Sequence, residues 1–494
     1  MGTATKPDKS TPAPSDGLVA VVKKDCPTCV HVAVVLAQLS AADDVQLTVY
    51  SQDEPSFPAD LEDVVDDTSL AFSWHNNIET VPTLMRFEQG KEVERIVGWE
   101  RSQWEEFTGR NGLGPDIAGY RPGCGSLSVD PLLVDELNVR FGASVLRSRR
   151  VEFASAEDPF EATFDRGWTD GLPVVPPTEA RVMAMLAGTT RAPDDIVATI
   201  PPDLVEVTVE QIAANAVMAG CKPEYLPVVL AAVEAACTDE FNMHGLLATT
   251  YFSGPIIVVN GPVAHRIGMN STNNVLGQGN RANLTIGRAL QLVVRNLGGG
   301  RPGGIDMALM GAPSKLGLCF AEREADSPFA PLAGEFGVET SGDSTNVGAV
   351  TLFAGQGPTG IIDQISRGPE SLARSMAGVL MATGHPKLVI GFDAMLVVGP
   401  EHGRIFTEAG WDRARLLAEL EALLIRDSDE LIQGAGGIDE GIPAAFAGAQ
   451  LPKFRPGGLQ IVHAGGDAGL FSAVLGGWVG GDKGSTPTCR PITP

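Results

Sequence analysis

Long hydrophobic runs are missing from this 494-residue sequence, and no apolar stretch reaches membrane-spanning length. Basic residues are scarce too: 36 Lys and Arg stand against 61 Asp and Glu, a formal net charge of −25. That field repels phosphate backbones and anionic lipid, so neither a nucleic acid nor a membrane surface is an expected partner. Seven cysteines are too few, and odd in number, for a disulfide scaffold. The opening residues MGTATKPDKSTPAPSDG hold no apolar signal core, and the expectation is a cytoplasmic chain with reduced thiols. No internal repeat is evident. What is present is 44% hydrophobic and 20% charged residues with 58 glycines and 35 prolines. This composition suits α/β layers joined by tight turns, and the length suggests two or three domains.

The charge is unevenly spread. Residues 1–110 carry nine Lys/Arg and 19 Asp/Glu, so −10 sits there and −15 on the remaining 384. Residues 1–16 read as a mobile tail, 17–110 as a separate unit, 111–131 as a linker broken by Gly and Pro, and 132–494 as a large α/β domain.

Within the first unit, Leu18–Lys24 reads as a buried strand, Val30–Leu39 as an apolar helix and Gln46–Ser51 as a second strand. Thr83–Phe87 and Glu92–Val97 read as a hairpin, and Arg101–Thr108 as a closing helix. Cys26-Pro-Thr-Cys29 falls at the first strand-to-helix turn. A helix N-terminus offers unsatisfied N–H groups and a positive dipole end, which favour a thiolate on Cys26, with Cys29 one turn on as the resolving thiol. Zinc would need two more ligands, and only His31 lies near in sequence; a structural remnant is the third reading. This order of elements resembles thioredoxin, with Val81-Pro82-Thr83 matching that family's cis-proline loop. The resemblance implies that Pro82 presents backbone to an incoming substrate thiol. Asp25 replaces the tryptophan that usually precedes the first cysteine, and its carboxylate opposes thiolate formation, with Lys23 and Lys24 as offsets.

In the larger region, Thr208–Gln211 reads as a capping box opening a helix that Gly220 stops, and Glu224–Cys237 as a buried helix. Pro255–Val259, Leu388–Phe392, Met395–Val398 and Leu459–Val462 read as strands sandwiched between helices. Leu284–Asn296, Asp412–Arg426 and Leu470–Leu475 read as helices. A mainly parallel sheet follows from this alternation, with a division into two lobes as a compatible variant. Polar residues gather just after the strands, where open parallel sheets bind ligands: Asn260, then Glu401 and His402, then His463 and Asp467. Asn280 and Arg281, before a long helix, could cradle an anion. These loops match neither nucleotide-binding glycine motif, and their glycines equally suit tight turns.

Trp168–Thr178 (WTDGLPVVPPT), Phe241–Gly245, Gly279–Ala289 and Pro400–Trp411 resemble the large domain of UGSC (seleno)protein family members. Cys124-Gly125-Ser126-Leu127 is similar to that family's selenocysteine-Gly-Ser-Cys motif, with cysteine for selenocysteine and leucine for the last cysteine. The resemblance spans residues 120–494 and implies redox or sulfur chemistry. Cys124 is the candidate nucleophile, with Arg121 beside it favouring the thiolate; Cys237 reads as a buried structural thiol. His244, His402 and His463 lie beside glycine or at strand ends. They read three ways: as zinc or iron ligands, as acid–base groups in the case of His244 and His402, or as satisfied structural histidines.

The leading expectation is a thiol-dependent enzyme acting on a small organic substrate, with redox or carbon–sulfur chemistry and the thioredoxin-like dithiol as reductant in cis. Thioredoxin reductase or another thiol reductant would recharge it, and a homo-oligomer is compatible. A metal-dependent lyase or hydrolase and a redox-sensing interaction protein are the alternatives.

Overall fold

The computed structural model describes residues 16–494 except 62, 131–132, 143–145, 150, 152, 154–156, 341–346, 386, 432, 436–437 and 441–443. All but Asp16 of the expected N-terminal tail lies outside the described residues. The chain is α/β with mixed sheets, and it divides into two units, Met1–Val145 and Leu146–Pro494.

In the first unit the elements run β1 (Gly17–Val22), α1 (Pro27–Ser40), β2 (Leu47–Ser51), β3 (Val64–Asp66), α2 (Ala71–His75), β4 (Thr80–Val81), β5 (Thr83–Glu88), β6 (Lys91–Val97), β7 (Trp99–Glu100), α3 (Arg101–Thr108), β8 (Tyr120–Arg121), β9 (Cys124–Gly125) and α4 (Val134–Phe141). The main sheet has the order β3-β2-β1-β5-β6. β1 is parallel to β2, and β2 to β3, while β5 runs antiparallel to β1 and to β6. The β-branched run of β1 occupies the centre of the sheet, with Val19–Val22 fully buried. Pro27 at the first turn of α1 gives up an N–H that would have no partner there, and Gly109 ends α3 in the left-handed region at φ +70°.

The segment expected to be a linker belongs to this unit. β8 pairs with β7 and β9 with β4, and Phe141 of α4 packs edge-on against His75, ring centroids 5.4 Å apart. Glycine and proline break helices there, yet they leave the backbone free to add short strands to a neighbour. The division therefore falls at Val145/Leu146 and not within residues 111–131.

In the second unit the Thr208–Gln211 capping box forms as expected, opening the helix Val209–Ala219, which Gly220 ends at φ +90°. The sheet differs from expectation. Its order is Leu318–Ala321, Gly254–Asn260, Gly348–Ile362, Phe471–Val479, Phe392–Val398, Leu459–His463, with Thr488–Ile492 also on Gly348–Ile362. Only two pairings are parallel, Gly254–Asn260 with Leu318–Ala321 and Phe392–Val398 with Leu459–His463. The other four are antiparallel, so the sheet is mixed and not mainly parallel. Phe471–Val479, expected to begin a helix, is a strand hydrogen-bonded on both sides. Leu388–Gly391 precedes its strand and forms none.

That strand order is a palindrome. Each half contains, in order, a strand, Gly-Pro, a short helix, a longer helix, a parallel strand and an antiparallel strand, with the short helix Ser314–Gly317 inserted in the first half and four short strands between Ile425 and Pro452 inserted in the second. The first half follows Val258-Val259-Asn260-Gly261-Pro262, the second Val397-Val398-Gly399-Pro400, and the two antiparallel strands meet at the centre. The repeat is structural, and its sequence trace is too short to catch from one chain. Alternate side chains go to opposite faces. Ile257 and Val259 join one helix layer, and Leu396 and Val398 the other. Ile256, Val258, Met395 and Val397 share an inner layer. The sheet curls until its outer strands meet: Arg323 N–H, just past one, donates to His463 O at the end of the other (2.8 Å).

Candidate functional site

The first unit concentrates the chemistry. Cys26 is the N-cap of α1, in extended backbone, and the N–H of Cys29 donates to its Sγ at 3.3 Å. Lys24 and Asp25 N–H groups donate to the Asp53 carboxylate (2.7 and 2.8 Å), fixing the turn that delivers Cys26 to the helix. The Val81 carbonyl oxygen lies 3.7 Å from Cys26 Sγ, and the following peptide bond, Val81–Pro82, is cis.

The third thiol is unexpected. Register between β4 and β9 sets Val81 opposite Cys124, and Cys124 Sγ is 2.7 Å from Cys26 Sγ. Cys26 and Cys29 are fully buried, whereas Cys124 is half-buried. The segment is held at both ends. Thr28 Oγ1 donates to Pro122 O (2.6 Å), Ser126 N–H donates to Glu79 O (2.9 Å), and Gln52 Nε2 donates to Ser126 Oγ (2.7 Å). Gly123 is required here: a Cβ would sit 2.4 Å from Thr80 Cγ2 and 3.1 Å from Val81 O. Ser126 was legible only as part of the Cys124–Leu127 motif, while Gln52 gave no sequence signal, since nothing local ties it to the cysteines.

The three thiols are unlike. Hydrogen bonding from the Cys29 side chain, with help from the Cys124 thiol and the Cys29 and Thr28 amides, brings Cys26 down to about 5 against the opposing effect of burial. Burial, and then the negative Cys26, push Cys29 far up. Cys124 is raised by burial and by donating to Cys26, and the cation favouring its thiolate is Lys23, while Arg121 is exposed on β8. Within the trio the thiolate is favoured at Cys26 and disfavoured at Cys29 and Cys124.

The chain matches no protein-family model, no curated protein and no solved structure.

In the second unit most expected site residues have structural partners. His402 is fully buried, with Nδ1 2.7 Å from Ser472 Oγ and Nε2 3.0 Å from Asp363 O. A carbonyl only accepts, so Nε2 carries the proton and Nδ1 accepts from Ser472; both ring nitrogens are used. Such partners on both nitrogens are what the structural reading of His402 expects. His463 Nδ1 donates to Arg323 O (3.0 Å), and burial lowers its pKa. His244 is exposed on the helix Met243–Ala248. Among the described residues no three His, Cys, Asp or Glu side chains are grouped to hold a metal.

Asn280 caps the helix Arg281–Asn296 through Asn283 N–H (3.0 Å), and Arg281 Nε donates to Gly220 O (2.9 Å) from an exposed position at the start of that helix. Glu401 accepts from Gly469 N–H (2.9 Å), and Asp467 pairs with Arg323 (2.6 Å). Asn260 and His463 are brought near one network. Asn260 Nδ2 donates to Glu322 (2.6 Å) and Glu324 (2.8 Å), and Arg413 reaches Glu322 (3.3 Å) and Ile461 O (3.1 Å). Burial raises the Glu322 pKa. Sequence reading missed Glu322 and Arg413, although Glu322 directly follows the apolar strand Leu318–Ala321.

A cavity of about 580 Å³ lies elsewhere in this unit, walled by Trp168, Pro176, Pro177, Val182 and Met218, with Glu210, Asn215 and Asn296 among its polar groups. The Asn296 Oδ1 is buried without a partner among the described residues. Part of the Trp168–Thr178 string is therefore cavity wall.

Proposed function

We propose that the first unit is a thioredoxin-like thiol–disulfide exchange unit, with Cys26 as attacking thiol and Cys29 as resolving thiol. It supplies electrons to sulfur chemistry on a small organic molecule held by the second unit. The observation that carries the reading is Cys26 at the N-cap of α1, receiving the Cys29 N–H at 3.3 Å and held as a thiolate near neutrality. The central position of β1 and the antiparallel β5–β6 pair support the thioredoxin-like part. An apolar-walled cavity with a few polar groups supports small-molecule binding by the second unit. Tethering raises the local dithiol concentration to roughly the millimolar range.

Reduction of a small aromatic disulfide by the full-length chain, recharged with dithiothreitol, tests the exchange step. Cys26→Ser should abolish turnover, and Cys29→Ser should stop after one event. Equal rates in wild type and both variants would reject the reading.

A further inference from the structure

Cys26 is sealed from solvent, which is an unusual place for a thiol that must meet an external disulfide. The only half-open sulfur of the trio is Cys124, and it lies 2.7 Å from Cys26 Sγ, against about 2.05 Å for a bonded pair. We propose that Cys124 is a third catalytic thiol, the one that meets the external disulfide, and that a Cys26–Cys124 disulfide is an obligatory intermediate. This rests on the reading of Cys26 as the exchanging thiol and extends it.

The geometry argues for a working contact. β9 lies antiparallel against β4, immediately before Pro82, where an extended peptide would pair with the Thr80–Val81 backbone. The chain's own segment takes that place. Pro122 is tied to the first turn of α1 through Thr28, and Ser126 is tied to Glu79 and Gln52, so Cys124 sits between two fixed points. Closeness of backbone at Gly123 keeps the sulfur over Cys26.

The steps balance. Cys124 passes its proton along the Sγ–Sγ contact to the Cys26 thiolate and attacks an external disulfide RSSR, forming Cys124–S–SR and releasing RS⁻, which takes the proton from Cys26. The Cys26 thiolate then attacks the Cys124 sulfur, forming Cys26–Cys124 and expelling the second RS⁻. Cys29, losing its proton to that thiolate, attacks the Cys26 sulfur and frees Cys124 as a thiolate; its return to the thiol takes one proton from solvent. The Cys29 proton thus ends on the second RSH. In sum, RSSR becomes two RSH, and the two electrons come from the Cys26/Cys29 dithiol, which ends as a disulfide. An external dithiol restores it.

Glutathione disulfide is the probe, with the full-length chain acid-quenched at successive times and its peptides mapped unreduced by mass spectrometry. In wild type, Cys26–Cys124 should appear before Cys26–Cys29. Cys29→Ser and Cys29→Ala should stop at Cys26–Cys124 with no glutathione retained. Cys124→Ser should react roughly tenfold or more slowly, because the buried Cys26 must then be reached directly. Glutathione held on Cys26 with Cys124 free in the Cys29 variants, or Cys124→Ser reacting as fast as wild type, overturns the role of Cys124 and leaves the exchange reading intact. Absence of any Cys26–Cys29 bond in wild type overturns both.

Discussion

Cys26 in the first unit and Cys221 in the second are both withdrawn from solvent, yet Cys26 is brought down to about 5 while Cys221 is pushed up to about 12. Cys237 is likewise pushed up to about 12 by burial, and Cys319 and Cys489 move in the same direction. Burial disfavours the charged form in every case. What differs is the hydrogen bonding at the sulfur: Cys26 receives the Cys29 and Cys124 thiols and the amides at the start of α1, whereas the Cys221 thiol donates to the Thr285 carbonyl and the charges of Arg281 and Arg288 do not offset its burial. The pattern extends to other groups of the second unit. Burial raises Glu322, raises Asp393 to about 6 and lowers Lys453 to about 8, each toward its neutral form. Burial therefore favours the neutral form in these groups of the second unit, and at Cys26 converging hydrogen bonds outweigh it.

The largest effect that would break this contrast is spectroscopic. Reduced wild type should show a thiolate absorbance step near 240 nm with a midpoint near pH 5, and Cys26→Ser should lose it entirely. Because this pKa lies below the unfolded value, the reduced chain should gain stability relative to Cys26→Ser as pH rises from about 5 to about 9. A step that survives in Cys26→Ser would mean that another thiol ionises instead, Cys124 beside Lys23 or one of the second unit.

Next in size is the Arg413–Glu322 pair, whose side chains are 7% and 1% exposed. Arg413→Met should destabilise the second unit by about 3–5 kcal/mol in urea unfolding, because it strands a buried carboxylate. A loss below about 1 kcal/mol would show that Glu322 is already protonated there, on the scale of a neutral hydrogen bond.

The smallest effect concerns Lys453, buried with Nζ donating to His385 O and Leu388 O (2.8 and 2.9 Å). Its pKa lies below the unfolded value, so the unfolded chain binds the proton more readily and stability should rise with pH. The gain is about 2 kcal/mol from about pH 8 to about pH 10, and Lys453→Met should flatten it. A rise of equal size in the variant would assign it to another group.

Reading the sequence worked where the signal is carried by neighbours along the chain. Arg101–Thr108 and the capped helix at Thr208 have the expected bounds, because caps and turns act over three or four residues. It failed where the partner is distant. Leu470–Leu475 has an apolar run short enough for either element, and two antiparallel neighbours make it strand. His402 and Asn280 looked like site residues because they lie beside glycines near element ends, which is also where buried backbone needs side-chain partners.

By itself the sequence determined that an α/β chain would form, with a Cys-x-x-Cys pair at the start of a helix, since strand runs, caps and the i to i+3 spacing of Cys26 and Cys29 are local properties. Only the tertiary structure decided that Cys124, 98 residues from Cys26, closes over it, and that two halves of the larger sheet mirror each other and meet at their edges. Such contacts depend on how sheets twist and which loops add a strand to which neighbour. Those choices are settled by the summed packing of many side chains, none of which carries the address of its partner.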